Sequence, residues 1–177
     1  MFFLILLTAI RKMSNFAVAM TLADLSGLYG GLAQTKALIK ELAGKRAGNV
    51  FLQGLRASSA PLLFSGVAQN GGKPCILIIL NDQEDAAYFY HDMVQTMGDQ
   101  NVLYFPSAFR RAAKYGQKDD ASEILRTEVL SRLTTITPDA QTLVIVTSAE
   151  ALAEKVVSKS SLEDKSIRIS VGETLDR

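Results

Sequence analysis

Apolar residues recur along the chain with two spacings, and the spacing changes from one segment to the next. Spacing of three or four residues predicts helices at about 22–32, 38–42, 59–68, 86–97, 124–133 and, after Ser148, up to 156. Short apolar runs predict strands at 50–52, 75–80, 102–105 and 143–146, and alternation at 167–169 predicts a half-exposed strand. Strand and helix alternate four times, which predicts an α/β fold: a three-layer parallel sheet with helices on both faces.

The run Cys75–Leu80 is apolar at every position, which is typical of a central strand buried on both faces of a parallel sheet. Cys75 is the one cysteine of the chain, so no intrachain disulfide can form. This usage fits a reducing, cytoplasmic compartment. We expect Cys75 to act as a small buried apolar residue and not as a reactive thiol.

The sequence divides into a central segment and two end segments. Residues 1–10 are almost wholly apolar but too few to span a bilayer, and no basic region precedes them. We therefore treat residues 1–20 as an N-terminal extension, which an over-extended gene start would explain, with Met13 or Met20 as the true initiator; a short membrane anchor is the alternative. Residues 21–160 form the predicted α/β domain, and residues 161–177 start a further segment, which a family resemblance identifies as the beginning of an inserted second domain.

Charge and length limit the classes of function. The 177 residues suit one domain or one domain plus the start of another. Nineteen basic residues oppose eighteen acidic ones. That balance argues against a protein whose main task is to coat nucleic acid or an anionic membrane.

A phosphate-loop pattern, G-x-x-x-x-G-K-[ST], would be expected where the first predicted strand meets a helix. The segment from Gly54 to Pro61 has this position but not these residues: Arg56 and Ser58 fall within the loop, and Ser59, Ala60 and Pro61 replace the glycine, the lysine and the hydroxyl residue. Alanine cannot neutralise phosphate charge, and proline offers neither a hydroxyl for magnesium nor a backbone N–H. We therefore predict a degenerate loop without a cofactor, in which Arg56 is the one group suited to an anion.

Three further groups of residues are candidates for chemistry. Asp82, Glu84 and Asp85 follow an apolar strand and could hold magnesium, although carboxylates in a first helical turn more often cap N–H groups. Arg110, Arg111 and Lys114 lie in a polar loop at 107–120 and could track a nucleic-acid backbone. His91 is the single histidine, so neither a zinc site nor serine–histidine catalysis is supported.

The order of these segments resembles the N-terminal module of bacterial transcription-repair coupling factor. The resemblance rests on Gly54-Leu-Arg-Ala-Ser-Ser, on the strand 76–80 followed by Asp82-Gln-Glu-Asp-Ala-Ala-Tyr-Phe-Tyr-His-Asp, on Val102-Leu-Tyr-Phe-Pro, and on Glu123-Ile-Leu-Arg-Thr-Glu-Val-Leu-Ser-Arg-Leu before the strand 143–147. It covers about residues 20–177. That module is similar to the first domain of UvrB, the damage-recognition protein of nucleotide excision repair, which has a nucleoside-triphosphatase-like fold. UvrB itself has an intact phosphate loop and a long DNA-clamping hairpin, for which too few residues follow Pro106 here.

The resemblance implies a non-catalytic scaffold domain of a DNA-repair protein, with no catalytic residue, cofactor or metal in this chain. In the full protein, such a domain presents the inserted domain and restrains an ATP-driven translocase on double-stranded DNA. That protein displaces stalled RNA polymerase and recruits the excision-repair protein UvrA, and no membrane is involved. Two alternatives remain: a small nucleotide-binding protein that uses Arg56 and Asp82, and a DNA-binding module that uses Arg110, Arg111 and Lys114.

Overall fold

A computed structural model describes residues 20–44, 48–109, 119–137 and 140–165. Most of the N-terminal extension, the basic residues Arg110, Arg111 and Lys114, and the predicted strand at 167–169 lie outside these ranges. Among the described residues, no helix is both long and apolar enough to cross a membrane.

Three helices precede the first strand of the described chain, and from there helices and strands alternate up to the last strand. The helices are α1 (Leu22–Gly31), α2 (Ala33–Ala43), α3 (Ser59–Asn70), α4 (Gln83–Met97), α5 (Asp120–Thr134), α6 (Ala149–Leu152) and α7 (Lys159–Lys165). The strands are β1 (Cys75–Leu80), β2 (Val102–Phe105) and β3 (Leu143–Ser148). The α/β class predicted from the hydrophobic pattern is confirmed.

The three strands form one parallel sheet in the order β1-β3-β2. β3 is the middle strand: Val144 is in register with Ile76 of β1 and with Val102 of β2. All six residues of β3 are buried. Since the strands are parallel, their carboxyl ends lie on the same side of the sheet, and ligands of such folds bind beside these strand ends.

Each face of the sheet has its own core. On one face, Val144 and Val146 of β3 pack with Ala86 and Met93 of α4. On the other, Ile145 packs in a cluster that includes Val129 of α5. Helices therefore flank the sheet on both faces, as the alternation of strand and helix predicts.

The predicted strand at 50–52 is wrong. These residues are not part of a strand, and Phe51 is 87% exposed. Leu52 turns inward instead, where it joins the cluster around Leu38 and Leu63 between α2 and α3. A run of three apolar residues supplies too few sheet contacts to fix a strand. The described sheet therefore has three strands, and the candidate phosphate loop does not follow one of them.

The prediction that Cys75–Leu80 forms a central strand is also wrong. β1 lies at an edge of the sheet, and every one of its residues keeps some exposure. Leu77 and Ile79 are 51% and 53% exposed. β3 takes the centre because helices cover both of its faces, whereas β1 is covered mainly on the face that carries Ile76 and Ile78.

α1 packs through small residues and not through its leucine stripe. Leu22, Leu28 and Leu32 are exposed, while Ser26 is buried. A Cβ atom on Gly66 of α3 would lie 3.0 Å from the Cα atom of Gly30 at the end of α1. The two backbones therefore approach so closely that only glycine fits at the crossing.

We expect Gly66→Ala to lower the free energy of unfolding by about 1–3 kcal/mol, because the added methyl group meets the backbone of Gly30. Urea denaturation measures the change. The matched control is Gly27→Ala in α1, where a Cβ atom meets nothing within 4 Å. The control should be neutral or stabilising by up to roughly 1 kcal/mol, since alanine is the better helix former. Equal effects of the two variants would contradict the close helix crossing.

Candidate functional site

The degenerate phosphate loop closes on itself through a short turn. The backbone N–H of Arg56 donates to Oγ of Ser59 at 2.7 Å, and the N–H of Ser59 donates to the carbonyl oxygen of Arg56 at 3.1 Å. Gly54 has φ of 87° and Ala57 has φ of 47°. A non-glycine residue in the left-handed region is uncommon and indicates a constrained turn. Two N–H groups of the loop are thus held within the turn and do not point outward as an anion cradle.

Carboxylates surround the space beside this loop. Ser58 donates its hydroxyl proton to Oδ2 of Asp92 at 2.6 Å, which ties the start of α3 to α4. The cavity here has a volume of about 260 Å³, and Asp85 and Asp92 are the charged residues of its lining. Arg56 is exposed and does not line it. The cavity is therefore negative, the opposite of what a phosphate group needs.

The start of α3 also lacks the groups that bind phosphate in an intact loop. Ser58 occupies the N-cap position but makes no capping hydrogen bond with its side chain. Ala60 and Pro61 follow in the first turn, and Pro61 is buried. Because proline has no N–H, one donor of the helix N-terminus is missing. The structure thus places all six residues of the predicted loop together, but with few N–H donors and no lysine to offer an anion.

Asp82 caps a helix. Its Oδ1 accepts a hydrogen bond from the N–H of Asp85 at 2.9 Å, so its carboxylate satisfies a free N–H group at the start of α4. Glu84 and Asp85 occupy the first turn of the same helix, where negative charge favours the helix dipole. Within the described ranges, no group of three acidic, histidine or cysteine side chains is arranged to hold a metal ion. The expectation of a capped helix is confirmed.

A buried ion pair lies at the carboxyl ends of β2 and β3. Nη1 of Arg126, in α5, is 3.1 Å from Oε2 of Glu154, which follows α6. Arg126 is 4% exposed. Its guanidinium group stands over the ring of Phe105, 4.2 Å from the ring centre. The arginine is therefore held by charge and by a cation–π contact in a place sheltered from water.

The same two side chains bind the backbone around them. Arg126 donates to the carbonyl oxygen of Pro106 at 2.8 Å. Glu154 accepts from the N–H of Ala108 at 2.9 Å and from the hydroxyl of Ser107. We call this set, Arg126, Glu154, Ser107 and Ala108, the clasp. It fixes the chain at the point where it leaves β2.

The clasp holds one side of the loop that carries the predicted basic residues. Ala108 accepts a hydrogen bond from the N–H of Asp119 at 2.9 Å, so the chain closes again at the far side of that loop. Arg110, Arg111 and Lys114 themselves are outside the described residues. The described residues on the two sides of segment 110–118 are thus bonded to each other.

The sequence pattern does not reveal the clasp. The apolar spacing predicts α5 from Ile124, Leu125, Val129 and Leu133. Ile124, however, is 69% exposed, whereas Arg126 is buried. Arginine residues in helices are usually exposed to solvent. Arg126 lies three residues before Val129 and therefore on the same face of the helix, and this spacing is a weak sign in the sequence that Arg126 is buried.

The two remaining candidates contribute no reactive group. His91 is exposed on α4. Cys75 is half-buried and not fully buried, and desolvation raises the pKa of its thiol. A raised pKa leaves less thiolate at neutral pH and therefore less reactivity.

Comparisons with family models, with curated proteins and with solved structures found no match to this chain.

We expect Arg126→Met to lower the free energy of unfolding by about 3–5 kcal/mol, because it leaves Glu154 buried without its cation. Chemical denaturation followed by circular dichroism measures the loss. The double variant Arg126→Met with Glu154→Met should lose less than the single variant, since no buried charge remains. The control is Arg132→Met on the exposed part of the same helix, with a change within about 1 kcal/mol. A loss for Arg126→Met as small as that of the control would contradict the clasp.

Asp82→Ala should lower the free energy of unfolding by about 1 kcal/mol, because α4 loses its N-cap acceptor. Thermal and urea denaturation test this. Glu84→Ala, which removes a carboxylate from the same turn but no capping bond, should change stability by no more than about 0.5 kcal/mol. If magnesium raised the stability of the native chain but not of Asp82→Ala, the capping role would be insufficient and the metal hypothesis would return.

Proposed function

We propose that this chain is a non-catalytic scaffold domain, the N-terminal module of a transcription-repair coupling factor. The observation that carries the proposal is the self-closed loop at the start of α3, with Asp85 and Asp92 in the cavity beside it, because this segment is the one that the sequence aligns with a phosphate loop. The order of sequence segments that resembles the coupling factor supports the choice of family. The three-stranded parallel sheet with helices on both faces is compatible with that choice.

Electrostatics argue against nucleotide binding at the loop. A triphosphate carries several negative charges and needs a lysine, donated N–H groups and a metal ion to offset them. Here Ala60 and Pro61 replace the lysine and the hydroxyl residue, and Asp92 holds the hydroxyl of Ser58 at 2.6 Å. Bringing a phosphate beside Asp85 and Asp92 would place like charges together with no described cation in the cavity lining. The isolated chain should therefore neither bind nor hydrolyse ATP.

Internal contacts occupy the remaining strand ends. The carboxyl ends of β2 and β3, a second place where such sheets bind ligands, are filled by Arg126 and Glu154. Groups that bond to one another in this way stabilise loops and are not free to bind substrate. This arrangement suits a domain that holds loops in place for other domains or partners.

The role in the full protein follows from the resemblance. The scaffold would present the inserted domain, which we propose begins at about residue 161, and would restrain an ATP-driven translocase on double-stranded DNA. The complete factor would displace stalled RNA polymerase and recruit UvrA in the cytoplasm. We assign the UvrA contact to no residue of this chain, because in that family it lies in the inserted domain.

Titration calorimetry with Mg-ATP tests the proposal. We expect no binding heat up to millimolar nucleotide, and the same result for Arg56→Ala, because the cavity beside the loop is negative. Micromolar binding that Arg56→Ala abolishes would contradict the proposal and favour the small nucleotide-binding protein.

Titration of the isolated chain with a DNA duplex is a second test of the proposal. The scaffold proposal predicts no appreciable affinity of the isolated chain for a DNA duplex at low salt. Tight, salt-sensitive binding that is lost when Arg110, Arg111 and Lys114 are changed together to serine would favour the DNA-binding module instead.

A further inference from the structure

The outer edge of β1 has no partner strand in the part of the chain that the structure describes. β1 pairs with β3 alone, and β3 pairs on its other side with β2. β2 is an edge strand too, but three of its four residues are buried, whereas every residue of β1 keeps some exposure. Both edges of the described sheet lack a partner strand, and the side chains of β1 are the more exposed. We call the outer edge of β1 the open edge.

The hydrogen-bonding direction of the β1 backbone can be assigned residue by residue. The carbonyl oxygen of Pro74 accepts from the N–H of Leu143, at the start of β3, at 3.0 Å. Because backbone direction alternates along a strand, the even-numbered residues of β1 bond to β3 and the odd-numbered ones point outward. Cys75, Leu77 and Ile79 therefore present their N–H and C=O groups at the open edge.

The composition of β1 makes this edge unusual. All six residues are apolar and none is charged or proline, so the strand lacks the features that normally prevent edge-to-edge pairing. Leu77 and Cys75 also line an apolar cavity of about 290 Å³ on the face that α5 only partly covers. An open, apolar edge with unpaired backbone groups is suited to binding another strand.

We propose that the open edge of β1 binds the same edge of a second copy of this chain, in antiparallel orientation, to give a continuous six-stranded sheet. A two-fold axis through Leu77 pairs Leu77 with Leu77 of the second copy and Cys75 with Ile79. All three outward-facing residues of each strand then form backbone hydrogen bonds. Identical strands satisfy this symmetry without any change of register.

Charges at the two ends of β1 favour a second copy over an arbitrary strand. Lys73 precedes the strand, and Asn81 and Asp82 follow it. In the pairing centred on Leu77, Lys73 lies opposite Asn81 of the other copy, next to Asp82. The two-fold symmetry gives this attraction once at each end of the paired strands. No residue of β1 is charged, so the pairing brings no charged side chain into the middle of the interface.

Sedimentation velocity over a range of concentrations tests the proposal with the full chain. We expect a monomer–dimer equilibrium with a micromolar dissociation constant. Leu77→Lys should raise that constant at least about tenfold, since it places two like charges opposite each other at the two-fold axis. The control Ile124→Lys puts the same charge on an exposed isoleucine of α5 and should leave the constant unchanged.

Cysteine cross-linking tests the register, with Cys75→Ser as the background. Leu77→Cys should form a covalent dimer under mild oxidation, because directly paired Cα atoms lie about 5.5 Å apart. Ile79→Cys should not, since the two copies of residue 79 are separated by more than about 13 Å.

A chain that stays monomeric at all concentrations, or a dimer that Leu77→Lys does not weaken, would overturn the proposal. Circular dichroism of each variant confirms that the fold is retained. Cross-linking through residue 79 in place of residue 77 would overturn the register on which the charge argument depends.

Discussion

The buried ion pair between Arg126 and Glu154 organises the carboxyl end of the sheet. It joins α5 to the segment after α6, and through Pro106 and Ala108 it fixes the chain that leaves β2. Removing two charges from water is costly unless hydrogen bonds compensate for the loss, and here backbone groups and the ring of Phe105 supply that compensation. The ion pair lies next to the end of β3, the central strand, which is buried along its whole length between the two cores.

The functional proposal follows from how the two potential ligand sites are filled. At the ends of β2 and β3, protein groups bond to one another. At the start of α3, Asp92 takes the hydroxyl of Ser58, and a second carboxylate, Asp85, lines the adjacent cavity. At both places polar groups are engaged in contacts that stabilise the fold, and this is the basis on which we propose a scaffold and not an NTP-binding enzyme. The open edge of β1 is a third surface, apolar and separate from both.

Sequence pattern predicts the fold class, the three strands and the helix cap at Asp82, because long apolar runs and capping residues act locally. It does not predict where a strand lies in the sheet. β1 is more apolar than an edge strand normally is, and only the pairing with β3 shows its position. The short run that contains Phe51 has strand composition but does not pair with the sheet, and Phe51 itself is exposed. Arg126 escapes prediction because the burial of its charge depends on Glu154, 28 residues further along the chain.

Amide hydrogen exchange at Ala108 tests the central claim most directly. This amide lies in a loop, outside any helix or strand, and its partner is a side-chain oxygen of Glu154. If the clasp holds the end of the sheet, the N–H of Ala108 should exchange at least about 100-fold more slowly than a free loop amide, because opening would leave the buried charge of Arg126 without its partner at a cost of about 3–5 kcal/mol. Exchange at the rate of an unprotected loop would show that the carboxyl end of the sheet is open, and would contradict the organising role of the ion pair.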